Sequence, residues 1–199
     1  MEVADRERDV DRTPPAPGDL ELVRAFLSVH DHVRGDERSL PPSRESLREF
    51  LVERGMLPHA ETPDPRDLDL VLAVHQALHR WVELGPGGSR RREDAEVVNA
   101  AVHATGLEPR FEGGGTPRLE PRATGVLGAL GRILAIAFLA EIDGSWHRLK
   151  VCDDETCVSV FYDRSKNRSG RWCSMQECGN RNKVRAWRAR QRVARERRA

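Results

Sequence analysis

The stretch Cys152 to Arg181, CDDETCVSVFYDRSKNRSGRWCSMQECGNR, holds all four cysteines of the chain in two pairs of equal spacing, Cys152-x4-Cys157 and Cys173-x4-Cys178. Fifteen residues separate the pairs. A short spacer lets two sulfurs of one loop reach one ion, and a longer insert brings the second pair round to complete a tetrahedron. Four soft thiolates select zinc or iron–sulfur chemistry over magnesium or calcium. The two matching pairs point to one structural Zn2+ held by Cys152, Cys157, Cys173 and Cys178. Two disulfides would use the same cysteines in an oxidising compartment, and an iron–sulfur cluster is the other alternative. A closed sphere of four thiolates leaves no position for a catalytic water, which argues against metal-centred enzyme chemistry.

Working outward, the charge is unevenly spread. The net charge of +1 conceals a segment 146–199 with 15 Lys and Arg against 6 Asp and Glu, a balance of +9. Residues 1–145 carry 18 against 26, a balance of −8. An acidic body with a basic metal module at its end calls for an acidic partner, most simply nucleic acid. The N-terminus, charged and proline-containing, lacks the apolar core of a signal peptide. The longest apolar run, about 126–142, contains Arg132 and Glu141 and suits a buried helix better than a membrane span. These features predict a cytoplasmic protein without a membrane partner.

Residues 1–17 are polar and proline-rich and are expected to be disordered. A first helix follows Gly18-Asp19, with Leu20, Val23, Phe26, Leu27 and Val33 at helical spacing as far as Gly35. A second starts near Ser43 and ends at Gly55. Asp64-Pro65 opens a third, with Asp64 as cap and Pro65 at the first helical position, an inward stripe that includes His75, and Gly85 as its end. A fourth spans about 93–104. Two short runs around Gly113-Gly114-Gly115 read as a hairpin, and a fifth helix of about 123–142 is apolar almost all round. The whole is predicted to be α+β, mainly α: a helical N-terminal domain with a small β-hairpin, then a treble-clef-like zinc finger ending in a basic helix, with a plain zinc ribbon as the alternative. Within the finger, 158–163 is predicted to pair with a return strand from Arg171.

On the last helix Arg181, Arg185, Arg188, Arg192 and Arg195 form one stripe, and the same helix carries Lys183. Arg164, Lys166 and Arg168 add a basic loop. All nine are candidate nucleic-acid contacts, although a charge run can equally be a solvated face. Val184, Trp187, Gln191 and Ala194 form the adjacent stripe, expected to pack on the hairpin. Lys150, Arg171 and Arg181 lie near enough in sequence to favour thiolates. His75 and His79 have metal-binding spacing, but His-Gln-Ala-Leu-His lacks the glutamate of a zincin motif. No nucleophile elbow, P-loop or dinucleotide fingerprint is present, and no enzyme activity is expected.

The string Cys173-Ser-Met-Gln-Glu-Cys178-Gly179-Asn180-Arg181, with Cys152-x4-Cys157 and Phe161-Tyr162-Asp163 before it, resembles the bacterial CGNR zinc-finger family over about 150–192. The order of elements before it, with Phe26-Leu27-Ser28-Val29 and Arg54-Gly55-Met56-Leu57, resembles the ABATE domain. The resemblance implies an ABATE-like domain over 18–145, a CGNR finger with its basic helix over 146–199, and a DNA-binding role in stress-induced transcription regulation. It carries the four cysteines over as metal ligands. Gly179 would permit close backbone approach, Asn180 would bond loop carbonyls, and Arg181 would bind phosphate or brace a neighbouring loop. A homodimer or a protein partner through the N-terminal domain is compatible with this, and a protein-interaction or RNA-binding zinc module is the alternative function.

Overall fold

The computed structural model describes residues 13–32, 39–40, 42–111, 113, 115–196 of the chain. In chain order the elements are α1 (Leu20–Leu27), β1 (Asp31–His32), β2 (Ser39–Leu40), α2 (Arg44–Glu53), α3 (Pro65–Leu84), α4 (Arg92–Thr105), β3 (Leu107–Arg110), β4 (Arg118–Pro121), α5 (Gly125–Asp143), β5 (Leu149–Val151), β6 (Val160–Tyr162) and α6 (Asn180–Glu196). A 3-10 turn, Ser145–Arg148, links α5 to β5, and a π-turn, Met175–Gly179, leads into α6. The strands form three antiparallel pairs: β1 with β2, β3 with β4, and β5 with β6. Val33 and Gly35 of the longer first helix lie outside the described residues. So do residues 1–12 of the stretch expected to be disordered, whereas Thr13 and Ala16 are buried.

The helix limits follow local chemistry. Ser43 caps α2 by accepting from Ser46 N, and Asp64 caps α3 by accepting from Arg66 N, with Pro65 at the first helical position where its missing N–H costs nothing. Gly106 ends α4 in the left-handed region, φ 60°. α5 runs through the centre, burying Leu130, Ile133, Leu134 and Ala137. At Gly131 a β-carbon would stand 2.4 Å from Pro121 Cβ, so glycine lets α5 lie directly on β4. By length and composition α5 is long enough to cross a membrane, but half of its most apolar window is buried inside the protein. Phe138, Leu139 and Ile142 remain exposed at its C-terminal end.

The finger is built into the same core. Trp146, Leu149 and Val160 join one buried apolar cluster with Phe26, Leu27, Leu78 and Ile133. β6 lies against α1 and β5 against α3. Arg24 on α1 is itself buried, paired with Glu21, and donates from Nη1 to Val160 O at 3.2 Å. Ser28 Oγ donates to Val160 O and accepts from Val160 N. On the other side, His79 Nε2 lies 3.3 Å from Val158 O.

His75 sits in this interior at 2% exposure, edge-on to Phe26 and His30 and stacked on His79. Neither ring nitrogen makes a hydrogen bond of ordinary geometry. Burial, aided by the His30 and His79 rings, pushes its pKa down to about 3, against a smaller opposing pull from the Phe26 and Val29 backbone. The folded ring is therefore neutral while the unfolded one binds a proton below about 6.5. Protonation then favours the unfolded chain, so this contribution to stability is complete above pH 6.5 and is lost as pH falls from there toward 3. His75→Leu is expected to remove it. The stability of the variant relative to the natural chain should rise by about 1.4 kcal/mol per pH unit below 6.5. Urea unfolding at pH 7.5 and 5.5 measures this, and a difference independent of pH would refute it.

Candidate metal centre and basic helix

The two cysteine pairs arrive on different local structures. Cys152 follows β5 and opens a tight turn, in which Asp154 Oδ1 accepts from Thr156 N and Thr156 Oγ1, and Cys157 N donates to Asp154 O. Asp-x-Thr is a side-chain turn that folds locally, which brings Cys157 back toward Cys152. Val158 then takes φ 47°, a left-handed conformation unusual for a β-branched residue, and redirects the chain into β6. The second pair sits at a helix start: Ser174 caps the π-turn by accepting from Glu177 N, and that turn carries Cys178 directly into α6. Asp153 N donates to Arg171 O and joins the two loops.

The structure corrects the expected finger hairpin. β6 pairs with β5 in the register Val151↔Val160 and Leu149↔Tyr162. Residues 171–173 form no strand. Asp163, 3% exposed, organises the loop instead, accepting from Lys150 Nζ at 2.7 Å, Ser165 N and Gly170 N. Burial raises the pKa of its carboxyl, but Lys150 and the loop amides outweigh that and hold it far below the usual carboxylate range. With its backbone committed to Asp163, the 163–170 loop is a compact turn rather than one arm of a strand pair.

All four Sγ atoms lie within 4.8 Å of one another. Cys157 Sγ and Cys173 Sγ are 3.5 Å apart, and Cys173 Sγ and Cys178 Sγ are 3.6 Å apart. A tetrahedron with zinc–sulfur bonds near 2.3 Å has edges of about 3.8 Å, whereas a disulfide bond is only about 2.05 Å long. All four cysteines are free, which removes the disulfide alternative. Without a cation the cluster cannot carry four charges. Cys157 is held far below the ordinary thiol range by hydrogen bonds from Cys152 and Cys173, while Cys178 is pushed up to about 12 by burial and by the charge on Cys157. A divalent cation relieves that conflict. The chain binds one structural zinc through these cysteines.

Around the thiolates lies an ionic shell centred on Asp154, whose side chain is 0% exposed. Arg181 Nε donates to Asp154 Oδ2 at 2.8 Å, Asn182 Nδ2 to the same oxygen at 2.8 Å, and Arg185 Nη1 to Oδ1 at 3.2 Å. Arg181 Nη2 also reaches Cys178 Sγ at 3.2 Å. Burial raises the Asp154 pKa, but the bonds from Thr156 and Arg181 reverse the shift and hold the carboxyl below its usual range. Of the three cations near the cysteines in sequence, Arg181 alone reaches a sulfur among the described residues. Lys150 is committed to Asp163, and Arg171 to Asp153 at 2.6 Å. At Gly179 a β-carbon would meet Met175 Sδ at 3.0 Å and Trp172 Cδ1 at 3.3 Å, so glycine lets these two side chains close over the turn. Asn180 Nδ2 donates to Gln176 O.

The other basic residues are placed variously. Arg164 donates to Pro15 O, while the side chains of Lys166 and Arg168 are exposed on the loop. Lys183, Arg188, Arg192 and Arg195 are exposed along α6. Of that adjacent stripe, Val184, Trp187 and Gln191 do not pack on the hairpin as expected. Val184 is 46% and Trp187 56% exposed, because beyond its first turns α6 extends past the finger. Sequence reasoning missed the Asp154 and Asp163 anchors, although Asp-Glu-Thr within the first cysteine spacer was the available signal for the former. His103 lines an open cleft of about 230 Å³ with Val102, Leu107, Glu108 and Arg122.

Two family models match the chain. Residues 20–142 match ABATE, described as "Putative stress-induced transcription regulator", and residues 148–191 match the CGNR zinc finger. Neither description names an enzyme. No curated protein matches the chain.

Proposed function

The chain belongs to the ABATE family, and we propose that it is a DNA-binding transcription regulator in which the zinc finger presents α6 to a duplex. The observation that carries this is α6 itself. It holds seven Lys and Arg against one Glu over 180–196, and its described side chains from Lys183 onward are exposed. A charge density of that kind, held rigid by a metal-anchored base, matches a phosphate backbone. Arg181 and Arg185 serve as braces on Asp154. Exposed cations of α6 beyond this base, with Lys166 and Arg168 of the loop, supply the contacts. The zinc, when bound, fixes the start of α6 and takes no part in chemistry. This reading carries with it a cytoplasmic location, and the region before the finger acts as the sensing or dimerising part.

Binding to a labelled duplex is expected to weaken steeply with salt. For about four phosphate contacts the loss between 50 and 200 mM is roughly 100-fold. Anisotropy titrations at several salt concentrations measure it, and affinity indifferent to salt would overturn the reading. A second reading, a protein-interaction module, draws on the exposed Trp187 and Val193 of α6 and on Phe138, Leu139 and Ile142 of α5. Salt-indifferent capture of a protein partner without DNA binding would favour it, and preference for single-stranded RNA would redirect the first.

A further inference from the structure

The contacts at the base of α6 fix its rotation, and with it the face that can meet a ligand. Arg181 and Arg185 both point at the buried Asp154, so the side of the helix they share is turned toward the finger. At about 100° per residue, Arg188 and Arg195 fall within roughly 60° of that side. Lys183, Trp187 and Arg190 fall roughly 140–180° round from it. The side chains of all three are exposed. Lys183 and Arg190 make no ion pair among the described residues. We propose that this outer face, Lys183–Trp187–Arg190, and not the longer arginine stripe, is the surface of α6 that enters the DNA, with the two cations on phosphates and the Trp187 ring against the bases. The inference rests on the DNA-binding reading above and assigns the geometry of the same site.

Two physical features favour that face. A duplex approaching from the Arg181 and Arg185 side would meet the Cys152–Cys157 turn and the Asp154 cluster before it reached the helix. The outer face has no described element in front of it. Secondly, the one tryptophan of α6, Trp187, lies there between two cations and is 56% exposed. An exposed tryptophan flanked by cations suits a groove, where the cations hold phosphates and the ring covers apolar base edges. A second copy of the same helix is a poor occupant, because seven positive charges would face seven.

The test uses the full zinc-loaded chain and a duplex of random sequence. Zinc content and circular dichroism confirm that each variant is folded, and the substituted positions are all exposed. Lys183→Ala with Arg190→Ala is expected to lower affinity about tenfold or more and to make the salt slope shallower by about two. Trp187→Ala should weaken binding with the slope unchanged, since it removes no charge. Arg188→Ala with Arg195→Ala should change affinity by no more than about threefold. The opposite ordering, or equal losses on both faces, overturns the assignment while leaving DNA binding in place. Absence of salt-sensitive binding by the natural chain overturns the underlying reading instead. If the outer-face variants bind DNA normally but Trp187→Ala dissociates a dimer in light scattering, the face joins copies of the chain and the proposal fails.

Discussion

Replacing Cys178 with serine, or removing zinc with a chelator, is expected to unfold more than the finger. The four thiolates hold two loops that otherwise meet through the backbone and side-chain bonds of Asp153 with Arg171 and through the Asp154 cluster. Structural zinc contributes about 10 kcal/mol or more of apparent binding free energy in small fingers. That is comparable with the entire stability of an ordinary domain, about 5–15 kcal/mol. The loss should not stop at residue 146, because Trp146, Leu149 and Val160 belong to the core that also buries Phe26 and Leu27. Ser28 depends on Val160 for both of its long-range hydrogen bonds. The apo chain should therefore lose amide protection in α1 and α3 as well as in α6. Acid should have the same effect: protons compete with zinc for the sulfurs, so metal affinity falls as pH falls. Metal analysis with hydrogen exchange on the apo and holo forms reads this out. If α1 and α3 keep full protection in the apo chain, the shared core is not what couples the two regions.

The parts of the architecture that were legible in the sequence are those written in local chemistry. Asp64-Pro65 and Ser43 mark helix starts because a side-chain oxygen or a proline is favourable there, and α3 and α2 begin where those signals stand. The cysteine spacing gave the ligand set for the same reason. What was not legible depends on long-range geometry. Nothing in Leu149–Val151 announces that this strand, rather than residues 171–173, will pair with β6. Arg181 and Arg185 have the periodicity of an outward stripe, and periodicity does not reveal its own phase. The phase is set by Asp154, 27 residues away in sequence from Arg181. Likewise the Val184 and Trp187 stripe looks like a buried face, yet α6 extends past the body against which it would have packed.

Asp154 is the position where stability and nucleic-acid binding can be separated by one set of variants. Arg181→Ala or Arg185→Ala alone should cost about 1 kcal/mol, because each guanidinium is 41% exposed and its partner on the carboxylate remains. The double substitution should cost more than the sum, about 3–5 kcal/mol, since it leaves a fully buried carboxylate with no cation. Asn182 and Thr156 would remain to hydrogen-bond it, and neither neutralises its charge. Asp154→Asn is expected to fall between the single and double variants, because half-exposed arginines can turn to water. Each folded variant then carries a second readout. If the arginines are braces, the salt slope of DNA binding stays where it is for Arg181→Ala and for Arg185→Ala. If they contact phosphate, each substitution makes it shallower by about one. Additive stability losses would show that the two arginines do not share a buried charge. Slopes that change by one each would move these residues from the scaffold of the finger to its DNA surface.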